Sequence, residues 1–102
     1  MIDQLHIDVD SKKLVKFCRK HHICKLAFFG SVLRKDFRSD SDVDVLVEFE
    51  KDHVPGLIRL SGMEIELSGL LGRKADLNTA GFFKPPLRKR ILNKAKVQYA
   101  AG

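Results

Sequence analysis

The chain has 102 residues, 44% of them hydrophobic and 31% charged, with a formal net charge of +6. That length suits one domain with a modest core (residues 1–102) and leaves no room for two, and the composition excludes a disordered tail. No apolar run approaches bilayer-spanning length and Met1-Ile2-Asp3-Gln4 shows no leader pattern, so the expected address is the cytoplasm, with no membrane partner.

Residues 1–10 alternate weakly and yield no element. Asp10-Ser11 supplies an N-cap, and Leu14, Val15, Phe17, Cys18 and His21 recur at helical spacing, which predicts a first helix over about 11–22. Two cysteines make no disulfide framework. The grouping Cys18, His21, His22, Cys24 invites a zinc reading, but one residue between His22 and Cys24 is poor tetrahedral spacing. Cys18 is expected to face the core, Cys24 to lead into a strand, and the histidines to sit at a helix end, where positive charge suits the dipole.

Lys25 to Phe29 reads as a short buried strand ending at Gly30. One or two helical turns are expected over 32–35 and a loop over 36–41. Asp44 to Glu50 alternates as a second strand. Pro55-Gly56 marks a new start, and Leu57, Leu60, Met63, Leu67, Leu70 and Leu71 form a helical stripe that stops at Gly72. Gly62 and Gly69 either weaken that helix or admit another element beside it.

Residues 74–79 predict a third strand. Pro85-Pro86 opens a last helix whose inner stripe is Leu87, Ile91, Leu92, Ala95 and Tyr99. The order indicates a small α/β domain, in which a sheet of three strands or slightly more carries packed helices. The charge excess lies at the end: residues 1–76 hold 13 Lys/Arg and 13 Asp/Glu, whereas 77–102 hold six Lys/Arg and no acid. Such a patch suits an anionic partner or simply solvates a helix face.

The chemistry gathers between the first two strands. A glycine ending a buried strand allows a sharp turn and close approach of a ligand. The following amides at a helix start suit phosphate, with Ser31 as a hydroxyl donor and Arg34 one turn on. Asp42 and Asp44, two residues apart at a strand start, project to one side about 6–7 Å apart at Cα, near enough to share Mg²⁺. Capped turns and a solvated strand end are the competing reading. A calcium loop is rejected, because Val45 occupies the glycine position and Lys51 the glutamate position of such a loop. Asp76 interrupts an apolar segment, so it either completes a three-carboxylate cluster or bridges Lys74 or Arg73 at an edge.

Gly30-Ser31, ten residues, Ser41-Asp42-Val43-Asp44 and the later Asp76 together resemble the minimal nucleotidyltransferase (MNT) domains of the DNA polymerase β-like superfamily. The likeness spans nearly the whole chain, with Lys35 standing where the family often has glycine. It implies the nucleotidyltransferase fold, a small mixed sheet with helices packed on it. It implies that Gly30, Ser31, Arg34 and Ser41 hold the triphosphate of ATP. Asp42, Asp44 and Asp76 would be the catalytic residues and Mg²⁺ ligands, with two ions and with Asp76 as third ligand or base. It further implies an antitoxin that transfers AMP to a tyrosine of a HEPN ribonuclease toxin, in a hetero-oligomer with it. The alternative is a domain that neutralises its partner by binding alone. Nucleic acid ranks last as a partner, since only Phe82, Phe83 and Tyr99 lie near the basic helix to stack on bases.

Overall fold

A computed structural model describes residues 9–30 and 42–101, apart from the side chain of Phe82. The expected turns over 32–35 and loop over 36–41 lie outside the described residues. Asp10 caps the first helix, α1 (Ser11–Lys20), by accepting from the Lys12 and Lys13 amides at 3.0 and 3.2 Å. The helix stops two residues short of expectation, because His22 turns into the left-handed region at φ 57 and feeds the chain straight into a strand.

That strand, β1 (Ile23–Phe29), starts two residues earlier than the sequence suggested, since Ile23 is buried and pairs with Phe49. It runs antiparallel to β2 (Val43–Phe49). The next helix, α2 (Leu57–Leu71), has the bounds the sequence predicts, and Gly72 ends it at φ 74. It leads to β3 (Ala75–Asn78), which lies parallel to β2, as expected of a strand that returns through a crossover helix. A single 3-10 turn (Ala80–Phe82) and α3 (Pro85–Lys94) follow.

The end of the chain differs from expectation. The stripe read through Ala95 to Tyr99 is not one helix: α3 stops at Lys94, and β4 (Lys96–Ala100) pairs antiparallel with β1. Val97, Gln98 and Tyr99 suit a strand, and the open edge of β1 decides between two local patterns. The sheet order is β3-β2-β1-β4, a mixed sheet in an α+β fold.

The core fills one face. Val43, Val45 and Val47 of β2, Leu26 and Phe28 of β1 and Leu77 of β3 meet Leu14, Phe17 and Cys18 of α1 and Met63, Leu67 and Leu71 of α2. Each fully buried side chain of this size contributes about 1.5–3 kcal/mol. Cys18 faces the core as expected, and burial pushes its thiol up to about 12. Gly62 and Gly69 face open space among the described residues, and no element packs closely on them. On the opposite sheet face, Leu46 and Glu48 line a small cavity together with Leu92 of α3 and Ala95 just after it. No side chain of α3 is fully buried.

Among the described residues no helix is long and apolar enough to cross a membrane.

Candidate active site

Alternation along β2 sends Val43, Val45 and Val47 into the core and leaves Asp44 on the other face, half-buried. Its neighbours in register are Phe29 on β1 and Asp76 on β3. Adjacent strands stand about 4.8 Å apart, so two carboxylates share one patch of sheet. Like charges directly opposite one another are destabilising without a cation between them. Asp42 lies one residue before β2 and is exposed, as is Asp76.

Gly30 explains itself against Asp44. It sits at φ 75, a conformation L side chains rarely adopt, and a Cβ built there would overlap the Asp44 Oδ2. The Asp44 carboxylate therefore lies against Gly30, at the position where the sequence also suggests that a ligand approaches. Phe29, just before it, meets Phe83 edge-on at 5.9 Å, which links β1 to the segment leading into α3.

Two residues that sequence reasoning missed hold β3 in place. Among the described residues its outward amides have no strand partner; instead the Ala75 N–H donates to Ser68 Oγ and the Leu77 N–H to Glu64 Oε2, both at 2.8 Å. Ser68 is itself fixed by donating to the Glu64 carbonyl at 2.7 Å. These bonds flank Asp76 on either side. The available signal was two polar residues four apart on α2, each next to a core position, Met63 and Leu67.

The structure thus sets Asp44 against Gly30 and in register with Asp76, with the exposed Asp42 one residue before β2. Ser31, Arg34 and Ser41 lie outside the described residues. The oxygens of Asp42, Asp44 and Asp76 do not all gather within 4.8 Å of one another; among the described residues the trio that does is elsewhere.

The chain belongs to the nucleotidyltransferase domain family, whose pattern matches residues 11–98, and it is an enzyme of that class. It is 33% identical over 91 residues to a Methanocaldococcus jannaschii protein provisionally named a protein adenylyltransferase, covering 89% of this chain and 96% of that one. A solved structure, provisionally assigned as a minimal nucleotidyltransferase, superposes with a TM-score of 0.68 at 33% identity, covering 83% of this chain and 85% of the other. The resemblance to the minimal nucleotidyltransferases therefore holds. A tri-AMPylated Shewanella oneidensis HEPN toxin in complex with an MNT antitoxin shares the fold, with a TM-score of 0.63 at 18% identity over 89% of this chain and 70% of that one.

Proposed function

We propose that this enzyme uses ATP and Mg²⁺ to transfer AMP to a tyrosine of a HEPN-type ribonuclease toxin, and so acts as its antitoxin. The observation that carries the reading is the register of Asp44 beside Asp76, with the Gly30 main chain against the Asp44 carboxylate. Relatives named for protein adenylylation, and a neighbour bound to a modified HEPN toxin, support the choice of acceptor.

The donors suit the metal. Asp42, Asp44 and Asp76 offer hard carboxylate oxygens at neighbouring positions, the kind that Mg²⁺ prefers. When bound, the ion supplies charge neutralisation on the phosphate oxygens. The chain's own residues do the rest. Gly30, Ser31, Arg34 and Ser41 bind and orient the triphosphate. Asp76, exposed on the edge strand, accepts the proton of the attacking tyrosine hydroxyl. That oxygen forms a bond to the α-phosphorus as the bond to the α–β bridging oxygen breaks, and pyrophosphate leaves.

In this reading the chain works as one domain in the cytoplasm, docked on its toxin. Exposed Leu57, Ile58 and Ile65 on α2 supply an apolar docking surface, and the basic α3, on the other side of the sheet, supplies a separate cationic one. The test is transfer of labelled AMP from ATP, with Mg²⁺, to a HEPN-type toxin. Label should appear on a tyrosine, and Asp42→Asn with Asp44→Asn should abolish it. Transfer that persists in the double variant overturns the mechanism. Full neutralisation by that double variant instead favours binding alone.

A further inference from the structure

At the far end of β1 from Gly30, about 20 Å along a seven-residue strand, a different constellation forms. One imidazole nitrogen each from His22 and His53 and a carboxylate oxygen of Glu50 all lie within 4.8 Å of one another. Among the described residues no other three His, Cys, Asp or Glu side chains come so close.

The main chain builds this arrangement. His22 holds the left-handed conformation that joins α1 to β1, and its carbonyl accepts the Glu50 N–H at 2.8 Å. The Glu50 carbonyl in turn accepts the His53 N–H at 3.0 Å, across a turn in which Asp52 takes φ 70. His22 and the distant Glu50–His53 turn are therefore tied backbone to backbone, which brings their three side chains together. The two imidazole rings stack with centroids 3.8 Å apart and 15° between planes. The Glu50 Oε1 stands 3.7 Å from His22 Nδ1, too far for a hydrogen bond. Both side chains are more than two-fifths exposed, 42% for His22 and 48% for Glu50, so an ion can reach them from solvent.

Two imidazole nitrogens and one carboxylate oxygen form a donor set suited to zinc-type ions rather than to Mg²⁺ or Ca²⁺, which favour oxygen alone. With metal–ligand bonds of about 2.0–2.2 Å, tetrahedral ligand atoms stand roughly 3.3–3.6 Å apart. Closing from 4.8 Å asks for a displacement of about 1 Å, within reach of exposed side chains turning about their χ angles. The rings leave their stack so that each turns a nitrogen lone pair inward. Cys18 takes no part, being buried beneath α1.

We propose that His22, Glu50 and His53 form a binding site for one divalent transition-metal ion of the zinc type, with water completing its coordination. The site is separate from the nucleotide site and does not depend on the reading given for it. An ion held there clamps the open end of the β1–β2 pair to the turn after β2 and stabilises the native state by mass action.

The experiment is titration of the full chain with Zn²⁺ by calorimetry and with Co²⁺ by visible absorption, both in excess Mg²⁺ to fill carboxylate-only sites. The expected result is one equivalent bound, a Co²⁺ band of tetrahedral intensity and a Tm raised by several degrees. His53→Ala and His22→Asn (asparagine tolerates the left-handed backbone) should each weaken binding by about ten-fold or more while leaving the circular dichroism unchanged. Asp42→Asn with Asp44→Asn should bind as tightly as the wild type. Absence of stoichiometric binding, or binding that survives both histidine substitutions, overturns the proposal. So does binding lost only with the aspartates.

Discussion

Replacing Gly30 by alanine should separate two effects that coincide at that residue. At φ 75 an added Cβ costs about 1–2 kcal/mol of backbone strain, which for a chain of this size lowers Tm by roughly 5–15 °C. The Cβ also collides with the Asp44 carboxylate, which must move aside. A displacement of about 1 Å in a catalytic group costs on the order of 100-fold in rate. Gly72→Ala is the control. Gly72 has nearly the same backbone, φ 74, but a Cβ there meets nothing within 4 Å. Thermal denaturation and the rate of AMP transfer, both measured on the two variants, distinguish strain from displacement. Both should lose similar Tm, but only Gly30→Ala should lose transfer by about 100-fold. Equal transfer by the two folded variants at a temperature below both midpoints would refute the role given to the Gly30–Asp44 contact.

Ser68→Ala and Glu64→Ala each remove the acceptor for a β3 amide, at about 1–3 kcal/mol where the amide stays buried and unpaired, read by urea denaturation. Both should also slow transfer, since Asp76 sits between those amides. Glu66 has its carboxyl held below the usual range, chiefly by the hydrogen bond with His21; burial opposes this next in weight, and the Lys20 hydrogen bond adds a smaller lowering. Its folded value is the depressed one. Its contribution is therefore complete above the unfolded carboxylate value and fades as pH falls through the folded one. With 38% of that side chain exposed, the contribution is about a few tenths of a kcal/mol, and Glu66→Gln should remove it from the acid limb of a stability–pH curve. In the native protein a thiol reagent should modify half-buried Cys24 and spare Cys18, whose burial raises its pKa, while denaturant should release both.

What the sequence made legible was periodic or local. The α2 stripe, the Gly72 stop, the Asp10 cap and the alternation of β2 each follow from residues a few positions apart. The third strand was readable too, because Asp76 breaks an otherwise apolar segment. What it concealed depends on partners distant along the chain. Residues 96–100 fit a helical stripe as well as a strand, and only the unpaired edge of β1 selects the strand. That Gly30 also lies against the Asp44 carboxylate was hidden, because Asp44 arrives from the neighbouring strand. Ser68 and Glu64 looked like polar helix positions until β3 lay beside them. His22 was weighed with the nearby Cys18 and Cys24, while Glu50 and His53 come to it through a backbone turn that no spacing rule encodes.

The bonds from Ser68 and Glu64 to β3 also govern what the sheet can accept from outside. An edge strand with free amides is a template on which a foreign extended segment can add itself. Here the outward Ala75 and Leu77 amides are already occupied by helix side chains, so the margin next to Asp76 offers no ladder to copy. The other margin, β4, is five residues long and carries an exposed Lys96, which discourages the same event. In the function proposed above, an acceptor protein can therefore present a single side chain to the aspartates without its backbone being drawn into the sheet.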